Sequence, residues 1–231
     1  MSASDERDLL AGLIRDFPLK NPPNVDDALK TVAVRYVQLG AGLNTVTAAL
    51  GFSRLLSMEL LEPAIRGVHR YLFQEIISNA GRYRKQTDPN NGLVQFGPAN
   101  PRRASESLFS GLSPSKLPEA MKSCCSILSM ESKDPIASSI QFYQRFVAYH
   151  PFYDANGRIA RFVVTTYLDI NGYYVEWKKL NEEWSAKFLK HLNDCHKRME
   201  SRSENYEKYF QLLLGFWRKV VVKKEELEKL K

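Results

Sequence analysis

Six residues able to do phosphoryl chemistry stand close together in the segment HPFYDANGRIAR, residues 150–161: His150, Asp154, Asn156, Gly157, Arg158 and Arg161. A helix that starts at Asn156 would aim its first backbone N–H groups outward at the positive end of its dipole, which is an anion site. Gly157 would let a ligand come close to that backbone. Arg158 and Arg161, three apart, reach the same side of a bound anion, and two guanidiniums suit a polyphosphate. Asp154 at the mouth of the site could hold Mg²⁺, which takes one or two carboxylates and completes its shell with phosphate oxygens. His150 could take a proton from an incoming hydroxyl. Each residue alone has a plainer reading. His150 could be a core histidine, Asp154 a helix cap, and the arginines ordinary surface residues. Order and spacing together make the case for transfer of a phosphoryl-linked group, which needs mainly positioning and charge neutralisation.

The elements that must carry this segment read as helices nearly throughout. Asp26 can cap a helix through Ala28, Leu29, Val32, Tyr36 and Val37, with Gly40 ending it. Leu55 to Leu61 form another apolar stretch, and Val68, Leu72, Phe73 and Ile76 make a stripe in a helix after Pro63. Asp134-Pro135 is a helix start, with Ile136, Ile140, Tyr143, Val147 and His150 on one face. A second helix runs from Asn156 through Ile159, Phe162, Val163 and Tyr167 to a stop at Asn171-Gly172. A third carries Trp184, Phe188, Leu192, Cys195 and Met199. A fourth carries Tyr206, Phe210, Leu213, Trp217 and Val221. Residues 86–105, rich in Pro, Asn and Gly, interrupt the helices, and Leu93, Val94, Gln95 and Phe96 alternate as one side of a hairpin would. The expected fold is all-α with a small β-hairpin. It divides into a helical N-terminal extension (1–55), a main domain (56–221) and a charged tail (222–231), with residues 218–231 read as a solvated helix.

Composition bounds the function. The chain has 231 residues and 44% hydrophobic content, which fits one globular domain with a small appendage. No apolar run is long enough for a membrane span, and the acidic start MSASDERDLL does not read as a signal peptide, so the expected compartment is the cytoplasm, or a host cell reached by delivery as an effector. Cys124, Cys125 and Cys195 have no metal-ligand spacing and read as small buried hydrophobes. The net charge of +7 is dispersed, which favours phosphate ligands in general without indicating nucleic acid.

The same segment resembles the signature of Fic-domain proteins, H-x-F-x-[D/E]-G-N-G-R-x-x-R, and differs only in Ala155 where glycine is commonest. Residues 68–84, VHRYLFQEIISNAGRYR, are similar to that family's first core helix and the turn after it, and 86–105 falls where such proteins carry a flap over the active site. The resemblance implies a Fic-type helical bundle and a protein adenylyltransferase that moves AMP from ATP to a Ser, Thr or Tyr hydroxyl. Doc-like phosphotransferases have lysine at the position of Gly157, and some phosphocholine-transferring relatives also read DANG, so UMP, phosphocholine or phosphate transfer stays open, as does a non-catalytic module. It further implies His150 as base and Phe152 as anchor of the loop in the core. Asp154 would bind Mg²⁺, Asn156, Gly157 and Arg158 the α- and β-phosphates, and Arg161 the γ-phosphate. The flap residues Leu93 to Phe96 would dock the target. Many Fic proteins carry an inhibitory helix with the pattern [S/T]-x-x-x-E-[G/N]. Here Ser203 to Lys208 and Glu200 to Asn205 are partial matches, which makes Glu204 and Glu207 the candidate inhibitory residues; restraint by a small partner protein is the other possibility.

Overall fold

The computed structural model describes residues 27, 30–32, 34, 35, 38, 58–75, 77, 79–97, 109–129, 132–201 and 203–228. Asp26, Ala28, Leu29, Tyr36, Val37, Gly40, Leu55, Leu56, Ile76 and residues 98–105 lie outside the described set. Residues 27, 30–32, 34, 35 and 38 are helical, as the N-terminal reading expects. Two compact units make up the chain. One joins residues 1–83 to 152–155, and the other joins 84–151 to 156–231.

In the first unit, helix α1 spans Met58–Phe73. The expected start after Pro63 is too late: Pro63 lies inside the helix, early enough that only one ladder bond is forgone. The buried stripe is Leu61, Ile65, His69 and Leu72, stepping by four, four and three, and Val68 sits at its margin. Gly81, with φ of 77°, closes the turn that follows. A Cβ there would lie 2.6 Å from Arg70 Cβ, so only glycine fits.

The second unit is helical around α3 (Pro135–Tyr149), which packs against α2 (Leu117–Ser129), α4 (Asn156–Ile170), α6 (Ser185–Glu200) and α7 (Tyr206–Trp217). A short α5 (Trp177–Glu182) precedes α6. Asp134 caps α3 by accepting from the Ala137 N–H at 3.0 Å, with Pro135 in the first turn. Phe142, Phe146, Leu213 and Trp217 are almost wholly buried, each adding ~1.5–3 kcal/mol or more of apolar burial, and Trp217 Nε1 donates to Ser139 Oγ at 2.9 Å. All three cysteines are buried and none is in a disulfide.

Two antiparallel hairpins complete the unit. In the first, β1 (Gln95–Phe96) pairs with β2 (Phe109–Ser110). The strand is shorter than the expected Leu93 to Phe96. Leu93 ends a 3-10 turn, Pro89–Gly92, whose Asn90, Asn91 and Gly92 are all left-handed, although Val94 O still accepts from the Gly111 N–H at 2.9 Å. The second hairpin corrects two expectations. Val221 belongs to β4 (Val221–Lys223) rather than to the fourth helix, and residues 218–231 are not one solvated helix: α8 (Lys224–Glu228) follows only after that strand. β4 pairs with β3 (Tyr173–Val175), and the β-branched run Val220 to Val222 explains it, since Val220 and Val221 are buried. Trp184, expected within the third helix, stands at the N-cap position just outside α6 and makes no side-chain cap bond.

Candidate active site

The signature segment falls on both units: Phe152, Asp154 and Ala155 belong to the first, His150 and residues 156–161 to the second. In the first unit the loop is organised by a histidine that the sequence reading did not assign. His69 Nδ1 accepts from the Gly81 N–H at 2.9 Å, so the ring proton sits on Nε2, 3.3 Å from the Asp154 carbonyl. Its ring stacks on Phe152 at 3.9 Å, and Phe152 is fully buried with Tyr83 on its other contact. Burial pushes His69 down to about 4, against a smaller upward pull from the Asp154 carbonyl. Asp154 is half-buried and its Oδ1 accepts from the Ala155 N–H. Ala155 has φ of 60°. That left-handed conformation costs an L-residue roughly 1–2 kcal/mol, which is the physical reason glycine suits the position.

In the second unit α3 ends at His150, itself left-handed at φ 51°, with its N–H bonded to Phe146 O at 3.1 Å. A non-glycine residue in that region signals a constrained site. The constraint comes from Arg84, which the sequence reading quoted without assigning. Its buried guanidinium donates to His150 O at 2.7 Å, Leu112 O at 2.8 Å, Tyr149 O at 3.2 Å and Gly92 O. One side chain thus joins the end of α3 to both arms of the first hairpin. His150 Nδ1 lies 3.3 Å from Val147 O, which places the proton there and the lone pair on Nε2. The ring stacks on Phe96 of β1 at 4.3 Å and 10°. Burial first, and the Arg84 charge as a lesser cause, push His150 down to about 4. His196 of α6 lies edge-on to Phe96 and Phe109, and burial likewise lowers it to about 4. Gly111 passes so close that a Cβ would meet Arg84 Nη2 at 3.0 Å and His150 Cβ at 3.2 Å.

The first turn of α4 carries Asn156, Gly157 and Arg158, with Asn156 buried. Among the described residues a Cβ on Gly157 would meet nothing within 4 Å, so packing does not require the glycine. Arg161 lies over the Trp177 ring at 4.8 Å and donates to Asn181 Oδ1 at 3.2 Å. Trp177 is itself fixed by its Nε1–H bond to Thr165 Oγ1. Neither Trp177 nor Asn181 has a sequence signal, because helix α5 comes from a separate stretch of chain. The structure does not bring the candidate inhibitory residues to Arg161. Glu204 is exposed in a turn, and Glu207 Oε1 accepts from Gln211 at 2.7 Å. Of the flap residues, Phe96 faces His150, while Leu93 is 58% exposed and Gln95 is exposed.

Comparison with known proteins agrees with this architecture. A Fic domain-containing protein from Bacteroides thetaiotaomicron superposes with a TM-score of 0.54 at 20% identity, over 94% of this chain and 78% of that one. The N-terminal Fic domain of a VirB-translocated Bep effector protein from Bartonella quintana, with bound ADP, does so with a TM-score of 0.54 at 16% identity, over 94% and 96%. A Fic family protein from Desulfovibrio desulfuricans G20 gives a TM-score of 0.53 at 17% identity over 92% of this chain, which spans 57% of that protein's length. At these identities the likeness speaks for the fold. No curated protein matches the chain. The Fic/DOC family model matches residues 59–168, the stretch holding α1, the first hairpin, α2, α3, the signature loop and most of α4, so the chain is similar to that family over just under half of its length.

Proposed function

We propose that this chain transfers AMP from ATP to a serine, threonine or tyrosine hydroxyl of a target protein and releases pyrophosphate. The observation that carries the reading is the first turn of α4, where Gly157 leaves open space at the positive end of the helix dipole, flanked by Arg158 and Arg161. Alanine would be the better helix former by up to ~1 kcal/mol, so the glycine answers to something other than helix stability. The bound ADP of the Bartonella quintana domain supports a nucleotide at this fold.

In this reading Asn156, Gly157 and Arg158 hold the α- and β-phosphates, and Arg161, set by Trp177 and Asn181, holds the γ-phosphate. His150, neutral at pH 7 and protonated on Nδ1, presents Nε2 to the target hydroxyl. The hydroxyl oxygen forms a bond to the α-phosphorus, its proton passes to Nε2, and the bond from the α-phosphorus to the α,β-bridging oxygen breaks. Asp154 fits a magnesium site of the shared kind. Among the described residues no group of three His, Cys, Asp or Glu side chains could hold an ion, so one carboxylate would have to act with phosphate oxygens. Magnesium held there would neutralise charge on the leaving pyrophosphate. The target segment pairs with the flap at Leu93 to Phe96 through main-chain hydrogen bonds, since β1 has a strand neighbour on one side only among the described residues.

The test is transfer of label to lysate proteins from ATP labelled at the α- or γ-phosphate, UTP, GTP and CDP-choline. Transfer from α-labelled ATP, absent with His150→Ala, is expected. Transfer only from γ-labelled ATP, UTP or CDP-choline would replace AMP by phosphate, UMP or phosphocholine. No transfer from any donor would leave a non-catalytic module.

A further inference from the structure

The second unit has an open pocket of about 410 Å³ lined by Arg145, Tyr149, Arg198, Met199, Ser203 and Tyr206. Three helices build it. Arg145 and Tyr149 share a face of α3 one turn apart, Arg198 and Met199 end α6, and Tyr206 starts α7. No carboxylate lines it, and among the described residues neither arginine forms an ion pair. Asp194, one turn back on α6, is a carboxylate whose field reaches Arg198.

The hydrogen bonds of the wall leave donors facing the space. Arg145 lies near enough to Tyr149 and Tyr206 for its charge to act on both phenols. The Tyr206 hydroxyl passes its own proton to Gln144 Oε1 at 3.0 Å, and Gln144 Nε2 meets Met199 Sδ at 3.7 Å, so this side of the wall is fixed. The Tyr149 hydroxyl lines the space and keeps its proton to give. Ser203 Oγ accepts from the Asn205 N–H at 3.2 Å and also keeps its proton. Arg198 spends one nitrogen on Tyr209 Oη at 3.3 Å and lies over that ring at 4.7 Å, with its remaining donors available. Burial raises both phenols, Tyr206 to about 12, so both stay protonated donors at neutral pH.

We propose that this pocket binds an organic phosphate monoester, with the anionic head between Arg145 and Arg198 and the ester group against Tyr149, Tyr206 and Met199. Two guanidiniums and two hydroxyl donors exceed what the two oxygens and single charge of a carboxylate can use, and they match the three terminal oxygens and double charge of a monoester. The volume falls at the small end of ligand pockets, ~300–1,000 Å³, and has room for more than the head group. The aromatic and thioether walls have no polar demand that a bare phosphate would meet.

Calorimetric titration of the full chain tests this, with phenyl phosphate as probe, inorganic phosphate as the head alone, and a phosphotyrosine peptide as a protein-borne ester. Phenyl phosphate is expected to bind one to one. Arg198→Gln should weaken it at least tenfold, while Arg158→Ala/Arg161→Ala should leave it unchanged. Arg145→Gln is the second variant, read only with helical circular dichroism equal to the parent, because Arg145 lies beside two half-buried tyrosines. Tighter binding of the peptide assigns the ester to a protein, and weaker binding assigns it to a free small molecule. Three results overturn the proposal: no binding of phenyl phosphate, loss in the Arg158/Arg161 variant with retention in both Arg145 and Arg198 variants, or inorganic phosphate binding as tightly as the ester. None of these bears on AMP transfer, which the label experiment decides separately.

Discussion

At pH 7, His150 can take a proton only because it does not already carry one. Its value near 4 lies below the ordinary 6.5, so the ring is neutral well into mild acid. The acid limb of the pH–rate profile should therefore fall below pH 6, and a limb at 6.5 or above would show that the ring is not buried as described. His150→Ala should cut turnover by ~10²–10⁴-fold with ATP affinity nearly unchanged, measured by single-turnover labelling beside nucleotide titration. Stability follows the same sign. His69, His150 and His196 all have folded values lowered to about 4. Their neutral-state stability is full above about 6.5 and is lost as pH falls from there towards 4, at up to ~1.4 kcal/mol per pH unit for each. Urea midpoints at pH 7 and pH 5 measure it. Gly157→Ala separates fold from site: the variant should gain up to ~1 kcal/mol of stability and lose nucleotide affinity. The motif residues were legible because chemistry and spacing sit in one short stretch. His69 was not, because a histidine on an apolar helix stripe reads the same whether it holds a loop or only fills space. Arg84 was hidden for a related reason, since four carbonyl partners from three segments leave no trace in sequence.

Elements announced by end signals were readable in advance. Asp134-Pro135 opens α3, and Asn171-Gly172 closes α4 with Gly172 at φ 82°. The β3–β4 hairpin was not readable. Its strands are three residues each and far apart in sequence, and Val220 to Val222 continue the apolar spacing of α7. The first hairpin was half readable: its alternation showed, while its partner strand came from Phe109–Ser110, beyond the loop-like stretch. That hairpin carries the next prediction. Val94→Pro should weaken modification of protein targets more than ATP binding, because it disturbs the edge strand and not α4. Equal loss of both would make the hairpin purely structural. Arg84→Lys keeps the charge but cannot fork to four carbonyls. It should lower kcat more than it changes nucleotide affinity, and the acid limb should move little because the positive charge remains.

For the whole molecule, the open question is restraint. Arg161 is engaged by Trp177 and Asn181, and Glu207 by Gln211. Neither Glu204→Gly nor Glu207→Gly should raise self-modification above the parent, and a rise in either would assign that carboxylate to control of the γ-phosphate position. Asn156-Gly157 is a dipeptide that, in a free chain, cyclises to a succinimide and hydrolyses to aspartate or isoaspartate. Asn156 is buried at the start of α4, and helical backbone there hinders the attack of the next nitrogen on the side-chain amide. The folded protein thus shields its own chemical clock. Each spell of unfolding lets it run, and a completed tick writes a negative charge into the proposed phosphate site. Chain aged in urea at mildly alkaline pH and then refolded should recover its helices but not its activity, with lesions at Asn156 as well as at Asn91-Gly92 and Asn171-Gly172, and the lost activity tracking the one at Asn156.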